Sequence, residues 1–483
     1  MKALTTLLFL FSFSWIDAQV STFSRTYADT GNFAGNTKKI VEIDSGIYSF
    51  ASAGFSLFVD QGGFQRLTNL DNNGNILNDN FYYTNSRRFF DFCSTIKTSD
   101  GELVVFNTRS RSGGLGGNQI FVMKIKPNLQ DTTWIYYHND STFFDTPGDI
   151  METSEGNFAL IATRAYFGQD DFDAIFLELN SNGQLLHETV IDEGVANTAQ
   201  SMVETSSGKI IINGNTAETL GGNGLKVYST TLNSERVVES TFLLPQLSEG
   251  GMSRFGPDKL VFSGYDLPYQ GPKILMTNDA GEVLFTRTYS PNNTSNGYIA
   301  RRVSDGGIVS VGINNVTVNG GFIMKTDSLG NLLWKRSYDH GPGSDFFMDF
   351  IETHDGGLLI AGAAQDNLDV APDQNVWLLK LDADGCLNPQ DCEVGITDLP
   401  LPDVLTIFPN PAAEYLNLKI EHGSGTYTVL LHDATGRLIQ HETLSGIGTH
   451  TLQVGQLSAG VYICTVRATN GDLMGHERIV ISK

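Results

Sequence analysis

The sequence predicts an all-β protein, a seven-bladed β-propeller followed by a small β-sandwich, on three observations. A phrase of strand, turn, strand, variable loop and third strand recurs seven times at a spacing of roughly 50 residues, the period of a propeller blade. Runs such as Phe322 to Asp327 and Ile175 to Asn180 are short, rich in branched and aromatic residues and bounded by turn formers, while helical periodicity is scarce. Beyond Glu393 the composition shifts, and a separate set of alternating strands with closely spaced turn signals follows.

The first element is a leader. Residues 1–18 carry Lys2, an apolar run from Leu4 to Ile16 and a small residue, Ala18, ahead of Gln19. This is the pattern of a secretory signal peptide, too short for a membrane span. No later stretch reaches the ~20 apolar residues of a spanning helix, so no transmembrane segment is expected.

Residues 19–392 hold the repeats. The first turn places a glycine at Gly46, Gly101, Gly156, Gly208, Gly306 and Gly356, with a degenerate copy around Gly256 to Lys259. The second turn follows at Gly74, Asn128, Gly183, Asn233, Gly281, Gly330 and Gly385. Glycine suits these turns because it tolerates positive φ, and Asp or Asn closes them through its side chain. Two hairpins per period mean four antiparallel strands per blade, the fourth ending on an aromatic residue as in Leu332 to Tyr338 and Val283 to Tyr289. The seventh unit lacks this strand, because Cys386, Pro389 and Cys392 follow Gly385. Thr22 to Tyr27 (TFSRTY) matches FTRTY of the fifth unit. The N-terminal strand is therefore expected to complete blade seven and close the ring, which removes two open sheet edges.

A formal net charge of -23 sets the protein against phosphate backbones, so nucleic acid is not expected as a partner. Cys386 and Cys392 are a candidate disulfide in an oxidising compartment, whereas Cys93 and Cys464 alternate with apolar neighbours and read as buried. No His or second Cys stands at ligand spacing, so neither a metal nor a cofactor is expected.

Residues 393–403, with Pro400 and Pro402, read as a stiff linker. Residues 404–483 contain Phe408 to Pro411 (FPNP), Asp433 to Arg437 (DATGR), Leu457 to Tyr462 (LSAGVY) and a terminal Ile479 to Lys483. With these four motifs in this order the module resembles the type A C-terminal sorting domain of type IX secretion cargo in Bacteroidota. The resemblance implies an immunoglobulin-like fold, passage through the periplasm and delivery by the type IX secretion machinery to the outer-membrane surface or the medium. It also implies removal of the module, with release or linkage to surface lipopolysaccharide. The residues it marks are Pro409, Asn410, Pro411, Asp433, Gly436, Arg437, Gly460, Tyr462 and Lys483.

No catalytic motif accompanies the repeats. Nucleophile elbows are absent, Trp334 reads as a packing residue, and His354 reads as an exposed turn residue. Loops between second and third strands vary most, which makes Tyr166, Phe167, Gln169, Asp170 and Asp171 candidate ligand contacts on one face of the ring. The function expected is an exported binding or interaction protein whose partner is a glycan or a surface protein. The alternative is an extracellular glycan hydrolase or lyase, which carboxylates converging on the ring axis beside a His or Tyr would mark.

Overall fold

A computed structural model of the protein describes residues 20–28, 37–55, 63–83, 93–110, 117–138, 143–166, 171–192, 196–217, 226–244, 247–265, 271–289, 295–314, 320–341, 343–365, 374–388, 405–420, 426–433, 437–468 and 473–482. The expected leader (1–18) and linker (393–403) lie outside these residues. The chain divides into two compact units, Met1–Cys392 and Glu393–Lys483.

The first unit is built from antiparallel groups of four strands, and each group follows the repeat. Group one comprises Ile40–Asp44, Ile47–Phe55, Gly63–Leu70 and Ile76–Tyr83, and group two Ser94–Lys97, Leu103–Ser110, Asn118–Ile125 and Thr132–Tyr137. Group three comprises Phe143–Glu152, Phe158–Tyr166, Phe172–Leu179 and Leu185–Ile191, and group four Ser201–Glu204, Ile210–Ala217, Lys226–Leu232 and Val238–Leu244. The short strand Ala196–Asn197 joins these two into one nine-stranded sheet. Group five comprises Ser248–Gly256, Lys259–Tyr265, Pro272–Asn278 and Val283–Thr288, and group six Asn296–Arg302, Ile308–Asn314, Gly320–Thr326 and Leu332–Tyr338. Group seven takes Phe346–Glu352, Leu358–Gln365 and Gln374–Leu381 from its own repeat and Phe23–Tyr27 from the N-terminal side. Phe23 pairs with Lys380, Arg25 with Leu378 and Tyr27 with Val376.

Burial explains the sequence pattern. Second and third strands such as Asn118–Ile125 and Ile210–Ala217 are buried on both faces, whereas fourth strands such as Leu185–Ile191 are largely exposed. Both-face burial arises because apolar clusters lie between successive groups. One joins groups one and two through Leu67 and Val105, another joins five and six through Val261 and Phe322, and another joins six and seven through Val311 and Phe347. A further cluster unites Leu359 and Leu378 of group seven with Tyr48 and Phe50 of group one, and Phe23 belongs to it. Burying a side chain of that size stabilises by about 1.5–3 kcal/mol. First strands touch in the same succession, and that of group seven touches that of group one.

Polar contacts repeat with the packing. The main-chain N–H and hydroxyl of Ser99, Ser154 and Ser304 donate to Glu152, Glu204 and Glu352 of the following group at 2.6–2.7 Å. His354 occupies the serine position in group seven, and its N–H donates to Glu42 of group one at 3.0 Å while Nδ1 lies 2.6 Å from that carboxylate. His354 is thus an exposed turn residue, as expected, and it also joins two groups.

At the second turn the left-handed position holds Gly74, Gly183, Gly281, Gly330 and Gly385, all at φ between 74° and 84°. In groups two and four it holds Leu129 (φ 59°) and Arg236 (φ 63°), not Asn128 or Asn233. Asn233 instead opens its turn, its carboxamide oxygen accepting from Glu235 and Val237 N–H as Asp71 accepts from Asn73 and Asn75. Sequence alone mistook the turn-opening amide for the turn's tip.

The second unit is two sheets around one core. Leu405–Phe408, Tyr415–Ile420 and Gly448–Gln453 form one sheet, and Leu438–Ser445, Thr426–Asp433, Gly460–Ala468 and Leu473–Ile481 form the other. Leu416, Leu418, Leu431, Cys464 and Ile479 are buried between them.

Candidate functional site

First strands of six groups, or the residues just before them, line one cavity of about 340 Å³. A second cavity of about 500 Å³ shares Lys39, Arg301 and Asp349 with it. These strands are shaped by β-bulges. The register slips between Pro147 and Asp149, Ser248 and Gly250, Gly297 and Ile299, and Phe347 and Asp349. The unpaired residues are therefore Gly148, Glu249, Tyr298 and Met348, and the last three line the smaller cavity. A bulge re-aims the extra side chain away from the alternation of its strand.

Three carboxylates converge here, and two are engaged in holding the fold. Asp149 forms an ion pair with Lys39 and accepts a hydrogen bond from Met202 N–H of group four at 3.2 Å. Asp349 lies 2.5 Å from an Arg301 nitrogen and accepts from Ile40 N–H of group one at 3.2 Å. Glu249 differs: burial raises its carboxyl pKa against the lowering hydrogen bond from Tyr265, and its backbone is left-handed at φ 52°. Burial, and then the charge of Glu249, also raise the pKa of Tyr298. The Lys38 ammonium donates to the Pro147 and Gly148 carbonyls, and burial pushes it down to about 8 although Asp149 opposes the shift. Among the described residues, no group of His, Cys, Asp and Glu is placed to hold a metal ion.

Of the loop residues expected to contact ligand, neither Tyr166 nor Asp171 lines the smaller cavity. Phe167, Gln169 and Asp170 are outside the described residues. Tyr166 ends the second strand of group three and donates to Asp173 at 2.6 Å, and burial pushes its hydroxyl up to about 12. Asp171 is half-buried beside this pair and contributes to the raised pKa of Asp173, which is set first by burial. The cavity residues Lys38, Gln200, Glu249 and Tyr298 escaped sequence reasoning. For Glu249 and Tyr298 the only signal was an extra residue interrupting the alternation of segments such as NGYIARR from Asn296 to Arg302.

Cys386 is buried and disulfide-bonded, whereas Cys392 lies outside the described residues. Cys93 and Cys464 are buried free thiols, each pushed up to about 12 by burial.

In the second unit the motif residues bind its last strand and turns. Pro409, Asn410 and Pro411 are exposed, and the Asn410 side chain donates to the Arg478 carbonyl at 2.7 Å and accepts from Val480 N–H at 2.9 Å. Asp433 accepts from Arg437 through the main chain and the guanidinium, both at 3.1 Å. Gly460 opens the strand in which Tyr462 is buried, with the Tyr462 hydroxyl on the Ser458 carbonyl at 2.9 Å. Gly436 and Lys483 lie outside the described residues.

Comparison with known proteins adds an independent finding. Residues 406–482 match the family model of the secretion system C-terminal sorting domain. No curated protein matches the chain significantly. Among solved structures, one match is PorZ of Porphyromonas gingivalis, an essential bacterial surface component of the type-IX secretion system. It aligns at TM-score 0.41 and 11% identity over 93% of this chain and 59% of PorZ, so this chain spans under two thirds of that protein. A fungal alcohol oxidase of the AA5 family aligns at TM-score 0.45 and 11% identity, over 95% of this chain and 98% of its own. Penicillium chrysogenum alpha-L-arabinanase aligns at TM-score 0.42 and 10% identity, over 61% and 93%. Likenesses at this level carry no argument about activity. The sorting domain does settle the route: this chain is cargo of the type IX secretion system, delivered to the cell surface or secreted.

Proposed function

We propose that the first unit is a seven-bladed β-propeller sealed by its N-terminal strand, and that it is a binding module whose ligand enters the cavity between the first strands. The observation that carries this reading is the cavity itself, of about 340 Å³, lined by bulge residues with no repeating chemistry. Its volume falls at the small end of ligand pockets, about 300–1,000 Å³. The apolar cluster joining groups seven and one supports the closed ring.

The hydrolase or lyase reading has less support. Glycoside hydrolysis ordinarily uses two carboxyl groups in different protonation states. Asp149 and Asp349 are each neutralised by a cation and held by a main-chain N–H, which leaves Glu249 alone with a raised pKa. In the same proposal the leader is removed, Cys386 pairs with Cys392, the second unit is immunoglobulin-like, and its exposed Pro409–Pro411 segment belongs to the signal read by the secretion machinery.

The test is a glycan and protein array probed with the full-length mature chain and with Met348→Trp, which fills the cavity. Binding by the wild type that the filled variant loses supports the reading. Binding that survives Met348→Trp contradicts it, and turnover of a bound glycan would move the protein to the enzyme class.

A further inference from the structure

Residues around the smaller cavity are of two kinds. Asp149, Ser201 and Asp349 are used alike, each accepting a hydrogen bond from a main-chain N–H of the following group: Met202, Met252 and Ile40 respectively. Lys38, Gln200, Glu249, Tyr298 and Met348 share a place, at the bulge of a first strand or just ahead of one, but no chemistry. In a repeat array the positions that join neighbours are constrained alike, and divergence is left to positions facing solvent or ligand. These five are half-buried and line the same cavity.

Glu249 is held there against its own preference. A side chain at φ 52° is in the left-handed region that residues with a Cβ avoid. The next residue must be glycine, because a Cβ at Gly250 would lie 1.9 Å from the Ser263 carbonyl oxygen. A strained residue lining a cavity is an observation that points toward function.

Charge selects the ligand. Lys39 is paired with Asp149 and Arg301 with Asp349, so Lys38 and Glu249 remain as single groups of opposite sign. The lining is therefore balanced, in a protein whose net charge is -23. Lys38 already donates to the Pro147 and Gly148 carbonyls and Glu249 already accepts from Tyr265, so both signs are engaged within the protein, whereas an uncharged ligand meets an amide, a carboxyl and a phenol, with a thioether for its apolar face.

We propose that Lys38, Gln200, Glu249, Tyr298 and Met348 form a recognition layer for an uncharged, hydroxyl-rich ligand the size of a mono- or disaccharide. This deepens the binding-module reading and rests on it.

The test is calorimetric titration of the full-length mature protein with neutral mono- and disaccharides, and with uronic-acid and amino-sugar counterparts of the same rings. A neutral sugar is expected to bind, and Glu249→Ala and Tyr298→Phe should each weaken it by about ten-fold, the loss of one good hydrogen bond. Glu249→Gln should stay within about three-fold of wild type, because it keeps the hydrogen bonding without an acid. Should Glu249→Ala fail to fold, Tyr298→Phe gives the same readout. Preference for the charged sugars, or binding of none, overturns the ligand class and leaves the cavity reading standing. Neutral-sugar binding that ignores the cavity variants but is lost in Tyr166→Ala overturns the cavity reading itself.

Discussion

The Tyr27 hydroxyl donates to the Gly74 carbonyl at 2.7 Å, and the same bond recurs from Tyr289 to Gly330 at 2.8 Å and from Tyr338 to Gly385 at 2.6 Å. In the last two cases the tyrosine closes the outer strand of one group and caps the second turn of the next. Tyr27 has that relation to group one, so the N-terminal strand joins groups seven and one as the regular outer strands join their neighbours. Arg25 and Ser21 add side-chain bonds to Asn75 and Asn73 of the same turn. Tyr27→Phe leaves a buried carbonyl without its donor, and a loss of about 1–3 kcal/mol is expected, matching Tyr289→Phe in urea unfolding. A neutral Tyr27→Phe beside a costly Tyr289→Phe would show that the two bonds are not equivalent.

Glycine at the second turn answers two constraints, and they are separable. A Cβ at Gly385 would lie 2.5 Å from the Trp334 ring of the preceding group, whereas one at Gly356 meets nothing within 4 Å, although both residues have positive φ. Gly356→Ala should therefore cost only the left-handed backbone, about 1–2 kcal/mol. Gly385→Ala should add an overpacking cost of about 1–3 kcal/mol. Combining Gly385→Ala with Trp334→Ala should cost less than the two single changes summed, measured by thermal unfolding.

Groups three and four are held by a buried ion pair. Arg236 donates to Glu178 at 2.6 and 3.1 Å, with both side chains at most 4% exposed. Burial raises the Glu178 pKa, but the hydrogen bonds from Arg236 and Asn157 prevail and hold its carboxyl below the usual range. Arg236→Met strands a buried carboxylate, with an expected cost of about 3–5 kcal/mol. Adding Glu178→Leu should recover most of it, because the methionine bears the same backbone strain as the arginine it replaces.

Lys38 predicts an alkaline signature. Its pKa falls from 10.5 to about 8 on folding, so between those values the unfolded chain binds a proton that the folded chain does not. Stability conferred by this residue therefore rises with pH across that window and is constant below it. Urea unfolding of wild type and Lys38→Met should give a difference that grows in favour of wild type from about pH 8 upward. A flat difference would mean that the ammonium is not desolvated.

The contrast between legible and illegible features is local. TFSRTY could be matched to FTRTY because the outer strand makes the same contacts wherever it occurs. Phe23 packs on Gly74 as Phe285 packs on Gly330, and Tyr27 bonds as Tyr289 does. Turn tips were less legible. Leu129 and Arg236 adopt the left-handed position that glycine holds elsewhere, and Arg236 is fixed there by Glu178, which lies 58 residues away in the chain. The cavity layer was not legible, because a bulge shifts register without leaving a residue signature, and Glu249 and Tyr298 meet only through folding. Asp149 and Asp349 show the converse: they have the composition of a catalytic pair, and their partners make them structural.

The central claim is that residues near the N-terminus form the outer strand of group seven, and amide hydrogen exchange of the mature protein measures this directly. The peptide spanning Phe23 to Tyr27 should be protected to the same degree as the outer strands Val283–Thr288 and Leu332–Tyr338, since all three pair along one edge. Exchange of that peptide at the rate of an unstructured chain, while the other two remain protected, would contradict the claim.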